Sequence, residues 1–93
     1  MITVHLPSRM REELNLDQKT VQLKDFRSGS IQDLLTSLDT NFPGAINFLC
    51  DDQGAIRKHI KVFLSEEQVT EELSTVQLHG HENIRIIQAM AGG

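Results

Sequence analysis

Tryptophan and tyrosine are absent from these 93 residues, and cysteine occurs once, at position 50. A single thiol cannot close an internal disulfide, so the fold must hold by burial alone, which suits a reducing compartment. No apolar run approaches the roughly 20 residues that a membrane-spanning helix needs. The opening Met1-Ile2-Thr3-Val4-His5-Leu6 lacks the basic start, long apolar run and cleavage site of a signal peptide. A cytoplasmic protein without a membrane partner is therefore expected. Positive charge is also scarce, with 9 Lys and Arg against 13 Asp and Glu, a formal net charge of -4 and a pI near 5.4. Such a chain offers no basic face to a phosphate backbone, which argues against nucleic-acid binding. Its overall balance favours docking onto a basic partner surface instead. A chain of this length has room for one domain, spanning 1–93. Burying roughly 60–65% of its unfolded surface, it has little depth for a secluded enzyme pocket.

What is present is clear periodicity. Ile2, Val4 and Leu6 alternate with Thr3 and His5, the pattern of a half-buried strand. Residues 7–17 are polar and mixed and read as a long connection with room for a helical turn. Residues 19–26 alternate again, with Val21 and Leu23 inward, so the two stretches form a broad-looped hairpin. Ile31, Leu34, Leu35, Leu38 and Phe42 fall at helical spacing on one stripe. Ser30 stands where an N-cap belongs, Asp33 adds a carboxylate to the first turn, and Pro43-Gly44 stops the helix. The apolar piece 45–50 ends in the turn Asp51-Asp52-Gln53-Gly54. Residues 57–64 read as the third strand, with Ile60, Val62 and Leu64 on one face and His59, Lys61 and Phe63 on the other. Ser65-Glu66-Glu67 is expected to turn the chain, and 69–73 to be irregular or a short helical turn. Residues 76–78 suit a short edge strand, His79-Gly80-His81 a turn, and 83–90 the last strand. The order is strand, strand, helix, strand, short strand, strand. It predicts an α+β fold, a four- to five-stranded mixed sheet with one main helix packed across it. This is the order of the ubiquitin-like β-grasp.

The ending Ile86-Ile87-Gln88-Ala89-Met90-Ala91-Gly92-Gly93 follows an apolar strand almost at once. At an average glycine usage of about 7%, a pair of glycines falls at two given positions in roughly one chain in 200. Without side chains, Gly92-Gly93 can thread a narrow channel and take backbone angles closed to other residues. Residues 90–93 are expected to form a flexible tail, reaching at most about 13–14 Å when extended. That reach would deliver the Gly93 carboxylate into another protein's active site. A carboxylate is a poor electrophile. It would need ATP to become an acyl-adenylate, from which a sulfur nucleophile displaces AMP and leaves a thiocarboxylate.

Three stretches resemble the MoaD/ThiS family of sulfur carriers, which are similar in fold to ubiquitin. They are Ser30-Ile31-Gln32-Asp33-Leu34-Leu35 through Phe42-Pro43-Gly44, the basic-then-alternating 56–64, and Ile84 to Gly93. The Phe-Pro-Gly and Arg-Lys-x-Ile-x-Val-Phe pieces resemble the CysO-type carriers most, which serve cysteine or thiocarboxylate-siderophore synthesis. The resemblance implies a carrier rather than an enzyme, with no catalytic residue and no bound cofactor of its own. Gly93 would be the site of adenylation and thiocarboxylate formation, with Gly92 and Ala91 as the slim passage to it. A ubiquitin-activating-type adenylating enzyme would use the ATP. A sulfur-accepting synthase, of cysteine, siderophore, molybdopterin or thiamine type, and a metalloprotease are the further partners implied. A ubiquitin-like modifier joined through Gly93 to target lysines is the alternative. Two features depart from the family pattern: His79-Gly80-His81 replaces an acidic turn, and Gln88 stands where many carriers have proline.

Other residues have plainer readings. His79 and His81 lack a third ligand for a metal. Cys50, following Phe48-Leu49, reads as a small buried hydrophobe rather than a persulfide station. The Glu66-Glu67 and Glu71-Glu72 pairs read as solvated turn charges. Phe63 and Ile87 should face away from the helix, and with Lys61, Arg85 and Met90 they form the expected partner-binding patch.

Overall fold

The two alternating stretches at opposite ends of the sequence meet side by side in the middle of one sheet. The computed structural model describes residues 2–24, 26–79 and 82–89. Strand β1 (Ile2–His5) leads through helix α1 (Ser8–Glu13) to strand β2 (Thr20–Leu23). A short strand β3 (Gly29–Ser30) opens the principal helix α2 (Ile31–Asn41), which is followed by α3 (Ala45–Leu49). Strands β4 (Ile60–Leu64) and β5 (Glu67–Gln68), a 3-10 turn (Leu73–Thr75), and strands β6 (Gln77–Leu78) and β7 (Asn83–Gln88) complete the order. The main sheet is mixed and five-stranded, in the order β2-β1-β7-β4-β5. β1 pairs antiparallel with β2 and parallel with β7, and β7 pairs antiparallel with β4. Among the described residues no helix is long and apolar enough to cross a membrane.

Helix α2 forms where the stripe and the cap agree. Ser30 Oγ accepts from Asp33 N at 3.1 Å, and Asp33 Oδ2 accepts from Ser30 N at 3.0 Å, a reciprocal capping box. Ile31, Leu34, Leu35 and Leu38 are buried against the sheet. Each contributes about 1.5–3 kcal/mol by leaving water. Gly44 ends this region at φ 104°, a left-handed conformation that favours glycine, and a Cβ there would meet Leu14 Cδ2 at 3.1 Å. Asp39 Oδ1 then accepts from the backbone N–H groups of Gly44 and Ile46, which fixes the start of α3.

Four features differ from the sequence reading. β4 begins at Ile60 rather than Arg57, because Arg57 N donates to Leu49 O at 2.9 Å and ties this stretch to α3. Ser65, at φ 58°, turns the chain so tightly that Glu67 pairs back with Leu64, making β5 where only a turn was expected. β6 does not edge the main sheet. It pairs with β3 in a separate two-stranded ladder, and this sets Leu78, 1% exposed, into the core. The polar connection after β1 contains a true helix, α1, because Met10 on it is fully buried.

Candidate functional site

The strand that leads toward Gly92-Gly93 is the central one. β7 has a neighbour on each side: β1 pairs with its first half, Asn83 to Arg85, and β4 pairs with Ile84 to Gln88. Its side chains alternate as the sequence predicts. Ile84 and Ile86 are 0% and 2% exposed on the core face, while Ile87 on the outer face is 39% exposed. The last described bond of this ladder runs from Ala89 N to His59 O at 2.8 Å. The strand expected to reach Met90 is thus described to Gln88, with Ala89 still held. Met90, Ala91, Gly92 and Gly93, four of the expected site residues, lie outside the described residues.

The other four expected residues share the outer face of the sheet. Lys61 on β4 is paired with Ile87 on β7, and Phe63 with Arg85. In an antiparallel ladder such partners stand about 4.5–5.5 Å apart, and diagonal neighbours about 7–8 Å apart. Phe63 and Ile87 therefore form an apolar diagonal crossed by the cationic diagonal of Lys61 and Arg85. Lys61 and Arg85 are exposed and Phe63 is half-buried. β1 adds a residue that sequence reasoning did not include, because its parallel register sets His5 opposite Arg85. The alternation of β1 already turned His5 outward, but the pairing of β1 with β7 is a tertiary fact.

The turn beside the end of β7 is built to hold its position. Arg57 Nε and Nη2 both donate to Asn47 O in α3, at 3.3 and 3.0 Å. Cys50 and Ile56 form an isolated bridge, and Asp51 Oδ1 accepts from Gln53 N and Ala55 N. The chain therefore enters β4 from a braced loop, and His59 O is fixed where it accepts from Ala89.

Cys50 is 7% exposed within the core cluster. Burial pushes its thiol above the ordinary 9.0, the negative charge of Asp51 adds to this, and Arg57 opposes it in part. A thiol kept protonated is a poor nucleophile, as expected of a small buried hydrophobe. It lines an open groove of about 630 Å³ between α2, the 50–58 loop and residues 68–74, with Leu35, Ile60, Val62 and Leu73 along it. His79 N donates to Glu82 Oε2 at 2.7 Å. Gly80 and His81 of that turn lie outside the described residues.

No family model matches this chain, and no curated protein matches its sequence. Solved structures share its architecture. A chain of the BexX/CysO complex of Amycolatopsis orientalis superposes with a TM-score of 0.82 at 19% identity, covering 100% of both chains. CysO of Mycobacterium tuberculosis gives 0.79 at 19% identity, over 97% of this chain and 100% of that one. Small archaeal modifier protein 1 of H. volcanii gives 0.77 at 16% identity, over 96% of this chain and 97% of that one. The fold is the ubiquitin-like β-grasp expected from the sequence.

Proposed function

We propose that this protein is a sulfur carrier whose working group is the Gly93 carboxylate. The observation that supports this reading is the placement of β7. The central strand of the sheet is the one that leads directly to the diglycine. A partner that grips the sheet would fix the root of the tail at Ala89. The four residues beyond it would then reach at most about 13–14 Å.

The chemistry follows from the carboxylate. One of its oxygens attacks the α-phosphorus of ATP on a ubiquitin-activating-type enzyme, and pyrophosphate leaves. The acyl-adenylate carbonyl is then attacked by a hydrosulfide equivalent. A C–S bond forms, the C–O bond to AMP breaks, and AMP departs as the leaving group. The resulting thiocarboxylate hands its sulfur to an acceptor bound by a synthase. In this scheme Gly92 and Ala91 supply a narrow passage, and Phe63, Ile87, Lys61, Arg85 and Met90 form the surface that a partner grips. The chain contributes the acyl group and the docking face, and the enzymes contribute catalysis. In this reading residues 1–93 are one carrier domain, residues 90–93 deliver the carboxylate, and the carrier works in the cytoplasm.

A second reading has support in the likeness to small archaeal modifier protein 1. In it, the same adenylate is captured by a lysine amine and yields an isopeptide bond. Intact-mass measurement separates the two. With ATP, an activating enzyme and a sulfur source, a carrier gains the mass of one oxygen-for-sulfur exchange at its C-terminus. A modifier yields lysine conjugates of higher mass instead. Deleting Gly93 should abolish either product without altering the denaturation midpoint. No ATP-dependent mass change in the full chain refutes both readings. So does finding that the cellular protein retains residues after Gly93.

A further inference from the structure

The outer face of the sheet differs in charge from the rest of the molecule. Following the ladders across it, the outward strand positions are Thr20 and Gln22 on β2, Thr3 and His5 on β1, and Asn83, Arg85 and Ile87 on β7. Lys61 and Phe63 on β4 and Gln68 on β5 complete them. Among these described strand positions there is no carboxylate. Lys61 and Arg85 are exposed, and His5 stands opposite Arg85. Removing the two positive charges of Lys61 and Arg85 from the formal -4 leaves -6 on the rest of the chain. The nearest acidic strand residue, Glu67, pairs with Leu64 and so belongs to the opposite parity.

From this segregation we infer that the partner gripping this face is a protein with an acidic surface around an apolar pocket. The sequence balance alone favoured a basic partner, but the fold points the other way. An apolar centre with a charged rim is how transient protein interfaces are built, and Phe63 and Ile87 supply the centre. Charge complementarity then acts in two ways. Lys61 and Arg85 attract an acidic surface, while the acidic remainder of the chain repels it. Only approaches with the sheet face forward survive, and these present the end of β7 to the partner. Nucleic acid is the poorer fit, because phosphate backbones need many cations in a row and the described strand positions of this face hold two Lys or Arg side chains, Lys61 and Arg85.

The inference names the chemistry of the partner and rests on the carrier reading only for the tail's role. Its test needs neither ATP nor an activating enzyme, so the two can fail separately. The full chain, labelled with nitrogen-15, is titrated with a synthetic peptide of alternating Asp and Glu around one central Leu. Saturable amide shifts are expected at Thr3, His5, Lys61, Phe63, Arg85 and Ile87. Combining Lys61→Glu with Arg85→Glu should raise the apparent dissociation constant by about tenfold or more. Lys61→Gln with Arg85→Gln should fall between, and its dispersed spectrum reports the fold if the reversed variant does not express. A peptide with Lys in place of the acids should shift amides elsewhere. The inference is overturned if the acidic peptide leaves this face unshifted or if both charge variants bind as the parent does. Tighter binding by the lysine peptide at this face, or by an oligothymidylate of equal charge, overturns it as well.

Discussion

Ile86 and Ile87 are the same residue type at adjacent positions of one strand, and they serve a core and a docking face only by pointing opposite ways. Replacing each with alanine measures that difference. Ile86 is 2% exposed and pairs with Val62, itself 3% exposed, so its side chain is surrounded. Removing three carbons at about 0.8 kcal/mol each costs about 2.4 kcal/mol in transfer free energy. A residual cavity adds to that, and large-to-small core changes of this kind fall at about 2–5 kcal/mol. About 3 kcal/mol is the expected cost for Ile86→Ala. Ile87, 39% exposed, has little burial to lose. The lower β-propensity of alanine leaves a cost of about 1 kcal/mol or less for Ile87→Ala. The gap of about 2 kcal/mol corresponds to roughly 8–16 °C in Tm for a domain of this size. Urea denaturation followed by far-ultraviolet circular dichroism reads both values against the parent. Equal costs, or a larger cost at Ile87, would refute the face assignment and with it the docking patch. Ile87→Ala should also weaken the acidic-peptide complex, although it costs less stability than Ile86→Ala.

Two further outcomes follow from the same structure. Ser30→Ala removes the acceptor for Asp33 N and should cost about 1 kcal/mol in urea denaturation, with Ser30→Thr recovering most of it; no change would mean that the capping box contributes nothing. Cys50 keeps its proton more tightly in the folded than in the unfolded chain, because burial and Asp51 oppose the thiolate. Its contribution to stability is therefore complete below the unfolded thiol's titration near 9.0 and is lost as pH rises through the higher folded value. The denaturation midpoint of the parent should then fall more steeply above that pH than that of Cys50→Ala, and parallel curves would refute the raised thiol.

Local physics was legible in the sequence wherever one signal dominated a short window. The stripe from Ile31 to Phe42 with Ser30 ahead of it could form little but a capped helix, and both the stripe and the cap are there. Alternation assigned the faces of β1, β4 and β7, since side chains two residues apart share a face whatever the neighbouring strand. Boundaries were less legible. The composition of residues 57–59 suits a strand, but Arg57 spends its donors on Asn47 O. Glu67 looks like turn polarity, yet the positive φ of Ser65 folds it back into a pair.

The sequence by itself determined that there would be one capped helix, alternating strands and a diglycine close behind the last of them. Each of these depends on residues within a few positions of one another. Only the tertiary structure decided that β7 is the central strand, that His5 stands beside Arg85, and that the described strand positions on the outer face of a net-negative chain include no carboxylate. Those are matters of which strand lies next to which. Strand neighbours are chosen by the burial of Ile2, Val4, Ile84, Ile86 and α2 together, a collective free energy that no local window contains.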